Sequence, residues 1–112
     1  MPFINVKTSA AVSKEKCDAI KSALGQAITA LPGKSENWLM VGIEPEQILY
    51  FQGSDAPAAM VQVQTFGTPA QGTDALTGKI CGILNKELGI AENRVYVSYF
   101  GTSNWGWNGN NF

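Results

Sequence analysis

In PFINVKT, near the start of the chain, Ile4, Val6 and Thr8 fall on one side and the residues between them on the other. An alternation of period two predicts a strand lying on a core. The period changes in SKEKCDAIKSALGQAITALPG, where Cys17, Ile20, Leu24, Ala27, Ile28 and Leu31 recur every three or four residues. That spacing predicts a helix with one apolar stripe. Ser13 is placed to cap its first turn, and Pro32-Gly33 stops it. NWLMVGI then reads as a second strand, and its near-continuous apolar run predicts burial on both faces.

EPEQILYFQGSDAP connects the two halves, with a short strand expected around Ile48 to Phe51. AAMVQVQTF alternates again, Val61 and Val63 against Gln62 and Gln64. TPAQGTDALTGKICGILNKELG predicts a second helix, capped by Thr68, with Pro69 in its first turn and Gly89 at its end. Leu76, Ile80, Leu84 and Leu88 form its stripe. Gly72, Gly78 and Gly82 weaken it intrinsically, and close packing on a sheet would be a reason to keep them. NRVYVSYF is a further strand, and GTSNWGWNGNNF has turn chemistry around two tryptophans.

The order is β-α-β, a link, then β-α-β, which makes this an α/β chain. Two such units form one mixed sheet with both helices on the same face. The other face carries Gln62, Gln64, Tyr96 and Ser98, a surface that can meet water or another subunit. The same element order also permits a monomeric ferredoxin-like fold. Residues 1–112 have the length of one domain.

Charged residues are only 15% of the chain and the formal net charge is −1. With no basic cluster, nucleic acid and anionic membranes are not expected as partners. So low a charge content points to covered surface, and self-association is the simplest cover. No apolar run approaches the ~20 residues of a membrane span, and no basic-then-apolar start marks a signal peptide. Cys17 and Cys81 fall on the apolar sides of the two helices, as buried free thiols of a reducing compartment such as the cytoplasm would.

The chain has no histidine. That removes Ser-His-Asp and Cys-His machinery and the HExxH zinc site. No phosphate-binding glycine loop, CxxC or carboxylate pair is present either, so neither metal nor cofactor is expected. Proton chemistry near neutral pH then falls to a carboxylate, lysine, tyrosine, cysteine or the chain's own α-amine.

Pro2 either opens an edge strand, where a missing N–H costs little, or becomes a secondary α-amine once Met1 is removed. A free α-amine titrates at about 7.7 to 8.0, and burial or a neighbouring cation lowers that. Lys34 is either a solvated loop lysine or a holder of a substrate carboxylate. Tyr96 either packs or donates a hydrogen bond. Trp105, Trp107 and Phe112 either pack on one another or wall an apolar pocket.

The chain places MP before a strand, PGK after the first helix, FQGSDAPAA before a long strand and TFG at its end, then NRVYVSYF and WGWNGNNF. In that order and spacing, over the whole length, these elements resemble the macrophage migration inhibitory factor family of the tautomerase superfamily. The resemblance implies a homotrimer whose sheets wrap a central barrel, with active sites between subunits. It also implies cofactor-free keto–enol tautomerisation of small aryl pyruvate-like acids.

Carried over position by position, Pro2 matches the proline base and Lys34 the lysine that binds the substrate carboxylate. Phe66 matches an apolar residue whose backbone N–H faces that carboxylate. Tyr96 matches a tyrosine from the neighbouring subunit, and Phe3, Trp38 and Trp107 match pocket or rim positions. Trp105 stands where a smaller apolar residue is common and narrows the pocket. Ser98 replaces an asparagine and has a shorter reach, and Phe66 is bulkier than the usual isoleucine. The cysteine pair of vertebrate cytokine members would fall at Ala58 and Val61, so thiol–disulfide chemistry is not expected. The resemblance leaves two alternatives open: export without a signal peptide, and a cytokine-like binding role in place of catalysis.

Overall fold

The computed structural model describes residues Met1–Phe112. Strand β1 (Pro2–Thr8) leads to helix α1 (Lys14–Ala27), which tightens into a 3₁₀ turn at Ile28–Ala30. A second 3₁₀ turn, Glu36–Trp38, precedes β2 (Met40–Glu44). After the link come β3 (Ala59–Phe66), α2 (Thr73–Leu88), a 3₁₀ turn at Glu92–Arg94 and β4 (Val95–Thr102). A short hairpin, β5 (Gly106–Trp107) and β6 (Asn110–Asn111), ends the chain.

The long strands form one sheet in the order β2-β1-β3-β4. β1 runs parallel to β2 and antiparallel to β3, and β3 runs parallel to β4. The chain's first strand is therefore laddered on both sides. Ile4, Val6, Val61 and Val63 are fully buried in one cluster with Ile20, Leu24, Leu76, Ile80 and Leu84. Both helices thus cover the same face, as the periodicities predict. Truncating Leu24 or Ile80 to alanine would cost about 2–5 kcal/mol.

Ser13 caps α1 as expected, its Oγ accepting from the Lys16 backbone N–H at 3.2 Å. Gly89 ends α2 in a left-handed conformation, φ 68°. The start of α2 differs from the prediction: the helix begins at Thr73, and Thr68 and Pro69 lie in the loop before it. Gly72 makes the turn into it at φ 90°, and a Cβ there would collide with the Ala30 carbonyl. Packing explains that glycine but not Gly78 or Gly82, which have open space beside them.

Three further expectations are corrected. No strand forms at 48–51. A lone bridge joins Phe51 to Ser54, and Ile48 and Tyr50 are exposed. The Arg94 side chain, rather than a strand ladder, binds the carbonyls of Phe51, Ser54, Ala56 and Pro57. β2 is shorter than NWLMVGI, because Asn37 and Trp38 belong to the turn before it. Nor is β2 buried on both faces within the chain: it is an edge strand whose Met40 is 68% exposed. Of the two thiols, both free, only Cys81 is buried and Cys17 is half-buried.

The sheet face away from the helices is bare. Phe3 pairs with Gln64, Asn5 with Gln62, Met60 with Tyr96, Gln62 with Ser98 and Gln64 with Phe100. Alternation along the strands turns these side chains away from the core, and Tyr96 and Phe100 are exposed. No helix is long and apolar enough to cross a membrane.

Candidate active site

Pro2 opens β1 opposite Thr65 of β3, the strand position where a proline is best tolerated. The next residue on β3 closes a corner around the chain start. The Phe66 backbone N–H donates to the Met1 carbonyl at 3.0 Å. The Phe66 carbonyl in turn accepts from Lys34 Nζ at 3.0 Å. Lys34 reaches there because the chain turns sharply after α1: Gly33 has φ 77°, and the Lys34 backbone N–H donates back to Leu31 at 3.1 Å. Burial, and then the charge and hydrogen bonding of Lys34, lower the proton affinity of the N-terminal amine below that of an ordinary α-amine. One cation, one backbone donor and the start of the chain therefore share a single corner.

Beside that corner lies a cleft of about 340 Å³, walled by Pro2, Phe3, Trp38, Met40, Trp105 and Trp107 together with Met1 and Asn37. The 3₁₀ turn at Glu36–Trp38 presents Trp38, whose ring meets Trp107 edge to face with centroids 5.1 Å apart. Trp107 stacks on Phe112 at 6.5 Å, and Phe112 leans on Phe66 at 5.2 Å. The tail turns back to make these contacts at Asn108-Gly109, both in the left-handed region at φ 55° and 86°. Those angles belong to the tight hairpin turn that favours Asn-Gly.

Tyr96 is elsewhere. It pairs with Met60, whereas Pro2 pairs with Thr65 on the same strand. Five residues of strand separate the two levels, roughly 17 Å. Ser98 lies on the Tyr96 side of the sheet, and its buried Oγ has no hydrogen-bond partner. Nowhere do three His, Cys, Asp or Glu side chains converge in a way that could hold a metal ion.

The family model for macrophage migration inhibitory factor (MIF) matches residues 1–112. The chain belongs to the MIF family. It is 31% identical to the macrophage migration inhibitory factor of Xenopus laevis, over 100% of this chain and 99% of that one. It is 32% identical to the homologue from Trichinella spiralis, over the full length of both. Its fold is similar to that of Leishmania major MIF2, with a TM-score of 0.95 at 35% identity, covering 100% of this chain and 97% of that chain. The fold is therefore the MIF-like member of the tautomerase superfamily, and the ferredoxin-like alternative is set aside.

Within this MIF-family chain, one protomer lines a single cleft with Pro2, Phe3, Trp38, Trp105 and Trp107, and sets Lys34 and Phe66 in a neighbouring cleft that is tied to the chain start through the Phe66 backbone. It does not bring Tyr96 or Ser98 to them. Sequence reasoning missed Asn37 and Met40 on the cleft wall. Met40 was reachable, because a strand parallel to β1 must set some residue beside Phe3, and the register makes it Met40. It also missed that Met1 itself takes the Phe66 donor.

Proposed function

We propose that this protein, with Met1 removed, is a cofactor-independent keto–enol tautomerase of small aryl pyruvate-like acids, with Pro2 as its general base. The observation that carries the proposal is the corner where Lys34 Nζ and the Phe66 backbone meet the chain start, beside an aromatic cleft. Loss of Met1 turns the Pro2 nitrogen from an amide into a secondary amine and frees the Phe66 N–H.

Burial and the Lys34 charge favour the neutral amine. That amine takes a proton from the carbon next to the substrate carbonyl. The C–H electrons form the carbon–carbon double bond of the enol, the carbonyl π electrons move onto oxygen, and the protonated Pro2 amine gives its proton to that oxygen, which restores the neutral base. The reverse direction returns the proton to carbon. Lys34, swung from the Phe66 carbonyl, and the freed Phe66 N–H bind the carboxylate, a charge-assisted pairing. Phe3, Trp38, Trp105 and Trp107 flank the aryl group.

Tyr96 and Ser98 enter from a second copy, since their own protomer holds them far from Pro2. A homotrimer supplies that copy and covers the bare sheet face, including Met40 and Phe100. Its home is the cytoplasm, with export lacking a signal peptide as the alternative. The test is phenylpyruvate turnover measured beside the intact mass of the chain. Chain lacking Met1 should be active and Pro2→Gly inactive, and equal turnover by the two would sink the proposal.

The names of the vertebrate relatives favour a second reading, a cytokine-like binding role on the same scaffold. A saturable receptor contact unchanged in Pro2→Gly, with no turnover by the processed wild type, would select it.

A further inference from the structure

Arg94 spends every part of its guanidinium on one loop. Its Nε donates to the Pro57 carbonyl at 3.0 Å and its Nη1 to that of Phe51 at 3.1 Å. Its Nη2 donates to Ser54 and Ala56, each at 3.0 Å. The same guanidinium lies over the Phe51 ring, 5.3 Å from its centroid. Phe51 then presses edge to face on Tyr96, with centroids 4.8 Å apart and planes at 68°. Arg94 is two residues before Tyr96, at the end of the turn that feeds β4.

Tyr96 needs such a support. Its side chain is on the bare face of an edge strand and is 60% exposed. An aromatic side chain so placed has several rotamers open to it, and ordering it costs entropy. The loop that carries Phe51 has almost no ladder of its own, only the bridge to Ser54. Its conformation rests on a planar fork of donors that lysine cannot reproduce.

We propose that Arg94 is a positioning residue for Tyr96: it clamps the 51–57 loop so that the Phe51 ring fixes the direction in which the Tyr96 hydroxyl reaches into a second protomer's site. This rests on the reading that Tyr96 completes the neighbouring copy's Pro2 site. It goes beyond that reading by giving Arg94 and Phe51, which touch no substrate, a defined part in it.

The experiment uses the trimeric, Met1-free chain and two variants. Arg94→Ala removes the clamp. Phe51→Leu leaves the four carbonyl bonds of the clamp in place and removes the ring, both its edge on Tyr96 and its face beneath Arg94, so it stays informative if Arg94→Ala fails to fold. Turnover of phenylpyruvate is measured in the wild-type and Tyr96→Ala backgrounds. The Tyr96 ring resonance, assigned by its loss in Tyr96→Phe, is followed by NMR.

Phe51→Leu should lower kcat/KM about tenfold in the wild-type background and less than about twofold in Tyr96→Ala, because misplacing a group and deleting it are not additive. The Tyr96 ring signal should shift and broaden. Equal losses in both backgrounds, or an unmoved Tyr96 signal, would overturn the proposal. If processed wild type has no Pro2-dependent turnover, the tautomerase reading fails. The ring signal still decides whether Arg94 and Phe51 hold Tyr96.

Discussion

The Met1 carbonyl oxygen accepts the Phe66 backbone N–H at 3.0 Å, so Met1, whose removal the proposed function requires, occupies the donor assigned there to the substrate carboxylate. Chain retaining Met1 should therefore be disabled twice, with an amide at Pro2 and a filled acceptor position. Its turnover should lie at least about a hundredfold below that of the processed chain, the scale on which a general base contributes. Fractions sorted by intact mass and assayed on phenylpyruvate check this. A competitive carboxylate inhibitor should bind the processed fraction alone.

The proposed mechanism gives Lys34 two separable effects. Lys34→Met should raise KM about tenfold through loss of a charge-assisted contact. It should also change the pH profile. The cation helps to lower the N-terminal amine in the unprocessed chain, and the Pro2 amine would sit in the same corner. Without the cation that amine holds its proton to higher pH. The acid limb of kcat/KM, where the base becomes protonated, should move upward. An acid limb unmoved in Lys34→Met would separate carboxylate binding from amine tuning.

The proposed split of the site between copies makes complementation a test. Pro2→Gly should be nearly inactive alone, and Tyr96→Ala should keep only a low but measurable activity. Unfolded together in equal amounts and refolded, they should recover about a quarter of wild-type activity, because random assembly pairs an intact Pro2 with an intact Tyr96 at that frequency. Recovery is read after the mixture is shown to have the mass of a trimer. No recovery at that mass would put Tyr96 outside the site.

Tyr99 ties β4 to α2. Its hydroxyl donates to the Thr73 carbonyl at 2.9 Å and lies 2.7 Å from the Thr77 hydroxyl. Burial raises the pKa of this phenol and also that of the Cys81 thiol, above ordinary values of 10.0 and 9.0. Both groups keep their protons longer when folded than when unfolded. Their contribution is present in full below the unfolded values and declines as pH rises past them. Tyr99→Phe should cost about 1–3 kcal/mol at neutral pH, because Thr73 and Thr77 lose their partner. It should also flatten the alkaline decline. Urea unfolding from neutral pH to about pH 11, at fixed protein concentration, measures both.

The strands and helices were legible where one face meets the core. Ile4-Val6, Val61-Val63 and the α1 stripe carry their periods openly because burial is decided residue by residue. The start of α2 was not legible. Thr68-Pro69 has good capping chemistry, yet Gly72 starts the helix because the loop must pass close to the Ala30 carbonyl, a contact remote in sequence. The expected strand at 48–51 failed for a similar reason, since the Phe51 carbonyl at its end bonds the Arg94 side chain, 43 positions away. Pro2, Lys34 and the tryptophans were legible through family resemblance, and the fold gathers them. Arg94 was not, because its partners are four backbone carbonyls and no pattern of side chains marks them.

β1 lies between β2 and β3: Pro2 is paired with Thr65 of β3 and Phe3 with both neighbours, so the first residues of the chain are held rather than left to fray. A nitrogen at position 2 has no side-chain torsions. Histidine, glutamate and lysine must each freeze rotamers before their basic atom is in place, whereas the ring nitrogen of Pro2 is part of the backbone and is aimed by the sheet itself. As the proposed base, Pro2 is aimed as stiffly as the sheet, and only moving a strand misdirects it.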